Sequence, residues 1–275
     1  MIPKSVRSGY LSGGMNLLLK WNVKHPMTFT KEELTAVEKT IAARRTFKVI
    51  GDVANPVTFD LEVDERCRAL VRSAVRAADA APFHYDRNLD GVAQPWRVDI
   101  LWHDSCQKVA VNFHQWFDNV KPGNKLPGML SACGACVVVS WLPQFEDVPE
   151  GSGASFSDSG EALPVKAKQT QIDQEHLAAT SAYVQNLLLL LTASNMGTYW
   201  SSGGQFRDDT MKEKIGVEKS GSVLAAVFVD FLSVGAGQGD ATKSTQGALE
   251  RIPGKLANKR APMERWVSEV SIDQI

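Results

Sequence analysis

Apolar positions along this chain change period several times, and each change predicts an element. Thr30 followed by Glu33 has the spacing of a capping box, so a helix is expected from there to about Arg44. Leu34, Val37, Ile41 and Ala42 supply its apolar stripe. A second helix is expected from Asp64 to Ala80, with Cys67, Leu70, Val71, Ala74, Val75 and Ala78 on one face and Pro82 as its stop. Arg97 to Trp102 alternates as a strand, and His103 to Val120 reads as a helix with Val109, Phe113, Trp116 and Phe117 on its apolar face. Gly134 to Leu142 is a β-branched, buried strand. Asp173 to Met196 is the longest helix, and its residues from Leu187 onward are apolar nearly all round, as expected of a buried central helix. A short helix from Arg207 to Ile215, a buried strand from Ser222 to Leu232 and a closing strand at Trp266 to Val270 complete the pattern.

Between these elements the chain loses its periodicity. Residues 1–29 carry Pro3, Gly9, Gly13, Gly14 and Pro26 and read as an extended arm that docks on the body or on a partner subunit. Residues 30–275 read as one domain with insertions at about 143–168 and 235–250, rich in Gly and polar residues. Helices and strands mix without regular βαβ alternation, which makes the fold class α+β. No Gly-x-Gly-x-x-Gly follows a strand, so a Rossmann nucleotide site is not indicated.

Composition narrows the function classes. A formal net charge of −1 over 275 residues gives no global field for nucleic acid or an anionic membrane. The apolar run at Leu17-Leu18-Leu19 stops at Lys20, and Leu187 to Leu191 is too short to span a bilayer, so a soluble, cytoplasmic protein is expected. Cys133-Gly134-Ala135-Cys136 has half-site spacing, but no second Cys or His pair completes a zinc set. With Cys67 and Cys106 these read as free core thiols. The histidines are scattered, and none has a nucleophile or carboxylate at catalytic spacing.

Three stretches remain that carry candidate chemistry, although Trp96 in the second reads more readily as a core residue than as a ligand contact. Ala43-Arg44-Arg45-Thr46-Phe47-Lys48 clusters cations and a hydroxyl at a helix end, where the charges could serve the helix dipole or grip a phosphate. Ala81-Pro82 leads to Gln94-Pro95-Trp96-Arg97, and Gly197-Thr198-Tyr199-Trp200-Ser201-Ser202-Gly203-Gly204 follows the longest helix. Lys259-Arg260 adds a second cation pair far away in sequence.

Taken together and in this order, the stretches resemble the FMN-dependent nitroreductase family. The resemblance implies a mixed central sheet flanked by helices, with the arm and the C-terminal tail exchanged in a homodimer. It implies that Arg44, Arg45, Thr46, Lys48 and Arg260, with Lys259 beside them, hold the FMN phosphate and ribityl chain, Thr46 standing for the usual serine. Gln94 belongs to the second motif, whose usual Asn is Val92 here; either Asn88 takes over that ring contact or the contact is lost. Ser201, Ser202, Gly203 and Gly204 match the loop whose backbone N–H meets flavin N5. Phe83, His84, Tyr85, Phe113 and Phe117 are the residues expected to face the substrate.

The activity implied is hydride transfer from NAD(P)H through the flavin to a flat electrophile such as a nitroaromatic or quinone, with no side chain as an essential acid or base. Two other readings stand beside it. One is a specialised branch: Thr46 counts against flavin fragmentation, which uses Asp there, and reductive dehalogenation lacks its lid motif. The other is a non-enzymatic flavin-binding protein.

Overall fold

The main sheet is antiparallel and runs in the order β2 (Trp96–Trp102), β3 (Ala135–Trp141), β5 (Ser222–Asp230), β4 (Gly197–Ser201). It comes from a computed structural model that describes residues 28–87, 91–117, 123–143, 170–218, 221–231 and 250–253. The chain divides into two compact units, Met1–Glu38 and Lys39–Ile275. The arm at 1–27, most of both insertions and the expected strand at Trp266 to Val270 lie outside the described residues.

The β-branched run Ala135–Trp141 forms the middle of the sheet because every residue in it is buried. Its side chains alternate between two cores. Ala135, Val137 and Val139 join Val227 and Val229 against α2 (Leu61–Ala78) and α5 (Gln171–Ala193). Cys136 and Val138 join Ala226 and Phe228 against α3 (His103–Trp116), α4 (Leu126–Ala132) and α6 (Asp209–Ile215). The sheet therefore lies between two helical layers, as an α+β protein with a sheet flanked by helices.

In α5 the buried positions are Asp173, His176, Ala179, Thr180, Tyr183, Val184, Leu187, Leu188 and Leu191, whereas Leu189 and Leu190 are half-buried. The Tyr183 hydroxyl donates to the Val75 carbonyl at 3.0 Å and locks α5 onto α2. Burial raises the pKa of this hydroxyl, with Asp79 adding to the effect. Phe113 on α3 is fully buried in the opposite core, which contributes roughly 1.5–3 kcal/mol.

The first helix, α1 (Lys31–Ala43), has the expected capping box: Thr30 N–H donates to Glu33 Oε2 at 2.7 Å, and Glu33 N–H donates to Thr30 Oγ1 at 3.2 Å. It buries none of its residues, and Leu34, Val37 and Ile41 are 55%, 51% and 55% exposed.

Four elements differ from the sequence expectation. A two-stranded antiparallel sheet pairs β1 (Phe47–Ile50) with β6 (Glu250–Pro253), in register Phe47 with Pro253 through Ile50 with Glu250. Four-residue strands carry almost no periodic signal, and this pair joins distant parts of the chain. The helix α4, started by Pro127 in its first turn, fills a span where the pattern predicted nothing. Gly197–Ser201, read as part of a loop, is the edge strand β4, which suits the strand preference of Thr198, Tyr199 and Trp200.

Candidate functional site

An isolated parallel bridge between Thr46 and Thr198 joins the first and third of the stretches singled out in the sequence. Around it lies a cavity of about 570 Å³ lined by Arg44, Thr46, Gln185, Leu188, Thr198, Tyr199, Trp200 and Ser202. Each part has a local cause. Arg44 and Thr46 occupy the short link between α1 and β1, where the Arg44 guanidinium approaches the Thr46 hydroxyl at 3.5 Å. Gln185 and Leu188 are three residues apart on α5 and so share one helix face. Thr198, Tyr199 and Trp200 come from β4, which is hydrogen-bonded on its other side to β5.

Among the lining residues Arg44 is the charged one, and hydroxyls come from Thr46, Thr198, Tyr199 and Ser202. A guanidinium with several hydroxyls suits an anionic, polyhydroxylated ligand. Tyr199 and Trp200 add aromatic surface. The Lys48 ammonium stands 4.5 Å from the Tyr199 ring centre, a cation–π contact that fixes the positive charge beside the cavity wall.

After β4 the chain turns sharply. Gly203 has φ +101° and Gly204 has φ +51°, and a tight 3₁₀ turn spans Gly204–Arg207. A Cβ at Gly203 would meet Arg207 Cγ at 3.0 Å and Val223 Cγ1 at 3.3 Å. Arg207 Nε donates to the Val223 carbonyl at 3.1 Å, so that side chain is held in place. Both the backbone angle and the crowding therefore require glycine at 203, and Gly203 and Gly204 do not line the cavity. Ser201 ends β4 beside Ser202.

The other sequence candidates fall elsewhere. Arg45 donates through Nη1 to the carbonyls of Ala42 and Arg44, capping the helix end. Gln94 Nε2 and Trp96 Nε1 both donate to the Asp79 carboxylate at 3.1 Å, which ties the second stretch to the end of α2. Phe83 packs edge-on against Trp96 with ring centres 5.6 Å apart. His84 and Tyr85 are exposed, and His176 Nε2 donates to the Tyr85 carbonyl at 3.1 Å. Phe113 packs on Phe117, with ring centres 5.1 Å apart, in the core under α3. Asn88, Lys259 and Arg260 lie outside the described residues.

The thiols behave as core groups. Cys67, Cys106, Cys133 and Cys136 are all buried and free, and burial pushes the thiols of Cys67, Cys133 and Cys136 up. Among the described residues no group of His, Cys, Asp and Glu could hold a metal ion, and no helix is long and apolar enough to cross a membrane. A smaller cavity of about 330 Å³ beside α3 contains none of the sequence candidates; Val53, Pro56 and Val111 contribute to its wall.

Sequence reasoning did not single out Gln185, Leu188, Thr198, Tyr199 or Trp200 as site residues. A signal existed for Gln185, a carboxamide two residues ahead of the run Leu187 to Leu191.

No family model and no curated protein matches the sequence. Several solved structures are similar to it in structure. A nitroreductase-like family protein from Bacillus cereus overlaps at 19% identity, over 75% of this chain and 88% of its own, with a TM-score of 0.49. A Desulfovibrio desulfuricans protein assigned as a nitroreductase and solved with FMN overlaps at 16% identity, over 86% of this chain and 96% of its own, with a TM-score of 0.47. The NADPH:FMN oxidoreductase from Vibrio harveyi, solved with NAD+, overlaps at 14% identity, over 71% and 68%, with a TM-score of 0.42. The chain is thus similar to nitroreductase-like proteins, and the residues of its own cavity carry the functional reading.

Proposed function

We propose that this protein is an FMN-dependent oxidoreductase that takes reducing equivalents from NAD(P)H and delivers them to a flat electrophilic acceptor such as a nitroaromatic or quinone. The observation that carries the reading is the convergence of Arg44 and Thr46 with Thr198, Tyr199, Trp200 and Ser202 on one cavity. Its volume falls within the range of about 300–1,000 Å³ usual for small-molecule sites.

The residues fit the group. Arg44 and Thr46 would hold the phosphate and the ribityl hydroxyls, through a charge-assisted contact and a neutral one. The side chain of Trp200, on the same face of the sheet as Leu188, would pack the flat ring, while Tyr199 on the opposite face packs against Phe228; Ser202, just before the turn at Gly203, adds a polar contact from the edge of the sheet. A bound flavin supplies the two-electron redox chemistry that no side chain in the cavity offers. The chain's part is to bind, orient and exclude water.

Two measurements test the reading. Purified protein titrated with FMN is expected to shift the flavin absorbance and quench its fluorescence. Stopped-flow mixing of the loaded protein with NADH or NADPH is expected to bleach the flavin, with colour restored by a quinone. A protein that binds no FMN contradicts the proposal; one that binds FMN but is never reduced is a flavin-binding protein without this activity.

A homodimer is part of the same reading. An apolar stripe at Leu34, Val37 and Ile41 that α1 leaves more than half exposed supports it, because a helix this short is marginal in water without a partner surface. Light scattering is expected to give twice the chain mass of 30.1 kDa.

A further inference from the structure

The cavity holds a carboxamide whose chemistry the proposal above leaves unused. Gln185 is exposed, lies on the face of α5 that also presents Leu188, and reaches the same cavity as Arg44 and Ser202. Among the described residues nothing pairs with its amide. We infer that Gln185 recognises the pyrimidine edge of the flavin and so sets the cavity's preference for that ring; the inference rests on the flavin reading.

The chemistry of the lining singles it out. Arg44 and Trp200 only donate, Leu188 does neither, and each hydroxyl offers a single oxygen. A carboxamide alone carries a donor and an acceptor fixed side by side in one plane. The flavin pyrimidine edge is an imide, C=O, N–H, C=O, so an acceptor and a donor lie side by side there too. A carboxamide can pair with both at once, as Gln and Asn do with the adjacent donor and acceptor of adenine. The other carboxamide near the sequence motifs, Gln94, is occupied by Asp79 at 3.1 Å.

Gln185 is also well held. Its flanks on the helix, Val184 and Leu187, are fully buried, so the backbone beneath it is fixed by the core. The side chain projects from a rigid element, so binding a ligand orders its rotamers only and costs nothing for the backbone.

The test is a cycle between protein and ligand. Wild type and Gln185→Ala are titrated by fluorescence quenching with FMN and with N3-methyl-FMN, in which the imide N–H is replaced. Two neutral hydrogen bonds are at stake, so Gln185→Ala is expected to bind FMN about tenfold more weakly than wild type. Wild type is expected to bind N3-methyl-FMN about tenfold more weakly than FMN, whereas the variant treats the two ligands alike. Gln185→Asn, with the same group on a shorter stem, is expected to keep part of the discrimination. Melting temperatures equal to wild type show that the variants fold.

Wild-type affinity for both ligands in Gln185→Ala overturns the inference and leaves the flavin reading standing. Equal discrimination between the ligands in wild type and variant overturns it as well. Failure of the wild-type protein to bind FMN overturns both.

Discussion

The strands β3 and β4 belong to the same sheet and obey opposite rules. In β3 every side chain is buried, and the strand is sealed by hydrogen-bonded neighbours on both sides. In β4, at the sheet's edge, only Thr198 is fully buried, while Tyr199, Trp200 and Ser201 are half-buried. The strand β3 is specified by burial alone, so any change of volume there is felt as stability. The edge strand carries hydroxyls and aromatic rings toward a cavity, and a change there is expected to be felt as affinity.

The largest expected effect lies on the buried side. Phe113→Ala removes a fully buried ring and is expected to lower stability by about 3–5 kcal/mol in urea unfolding. Acceptor kinetics of whatever folds should be unchanged, because Phe113 sits under α3 and not at the cavity. Selective loss of acceptor rate at intact stability would restore Phe113 as a substrate contact and erase the division between the two regions.

Next come two glycines. A Cβ on Gly134 would stand 2.1 Å from Phe231 Cγ, inside the core, so Gly134→Ala is expected to lose about 3 kcal/mol or more. At Gly204 nothing lies within 4 Å of such a Cβ, and only the left-handed φ of +51° opposes it. Gly204→Ala should therefore lose only about 1 kcal/mol. Equal losses in chemical denaturation would show that the loop is packed as tightly as the centre of the sheet.

The cavity should respond in the opposite currency. Arg44→Ala is expected to weaken FMN binding by roughly ten- to a hundredfold, from a charge-assisted bond of about 1.5–3 kcal/mol, while the melting temperature hardly moves. Arg45→Ala should have the smaller effect, since its guanidinium is turned to the carbonyls of Ala42 and Arg44. Isothermal titration of both variants checks the order, and the reverse order would move the phosphate grip out of the cavity.

The smallest effect concerns the opposite edge strand, β2. Burial raises the Asp99 carboxyl above its ordinary value, and Glu218 adds repulsion. A raised folded-state pKa gives a contribution to stability that is fully present below the unfolded value and is lost as pH rises through the folded one. Asp99→Asn is therefore expected to flatten the pH dependence in the mildly acidic range and to stabilise slightly at neutral pH. Melting curves of both proteins at acidic and neutral pH are the check; a variant less stable than wild type at neutral pH would show that the carboxylate makes a favourable contact there.

What could be read before folding follows from locality. The capping box of Thr30 and Glu33, the buried run of β3 and the long helix α5 are each fixed by residues a few positions apart. The cation cluster at Arg44, the QPW segment and the segment after α5 were visible as stretches carrying candidate chemistry, although Trp96 among them turns out to belong to the core. Their assignments were harder. Gln94 and Trp96 could serve a ligand or the fold, and only the position of Asp79 at the end of α2 shows the bond they make.

The sequence by itself determined the helices other than α4, the buried strands and the chemical inventory, because side-chain period and local capping act over single turns. The tertiary structure alone decided that Thr46 meets Thr198, that Phe47–Ile50 finds Glu250–Pro253, and that Gln185 rather than Gln94 faces the cavity. Such contacts join residues far apart in the chain, and their partners are chosen by how the sheet and its helical layers pack, a property of the whole core that no short window of sequence contains.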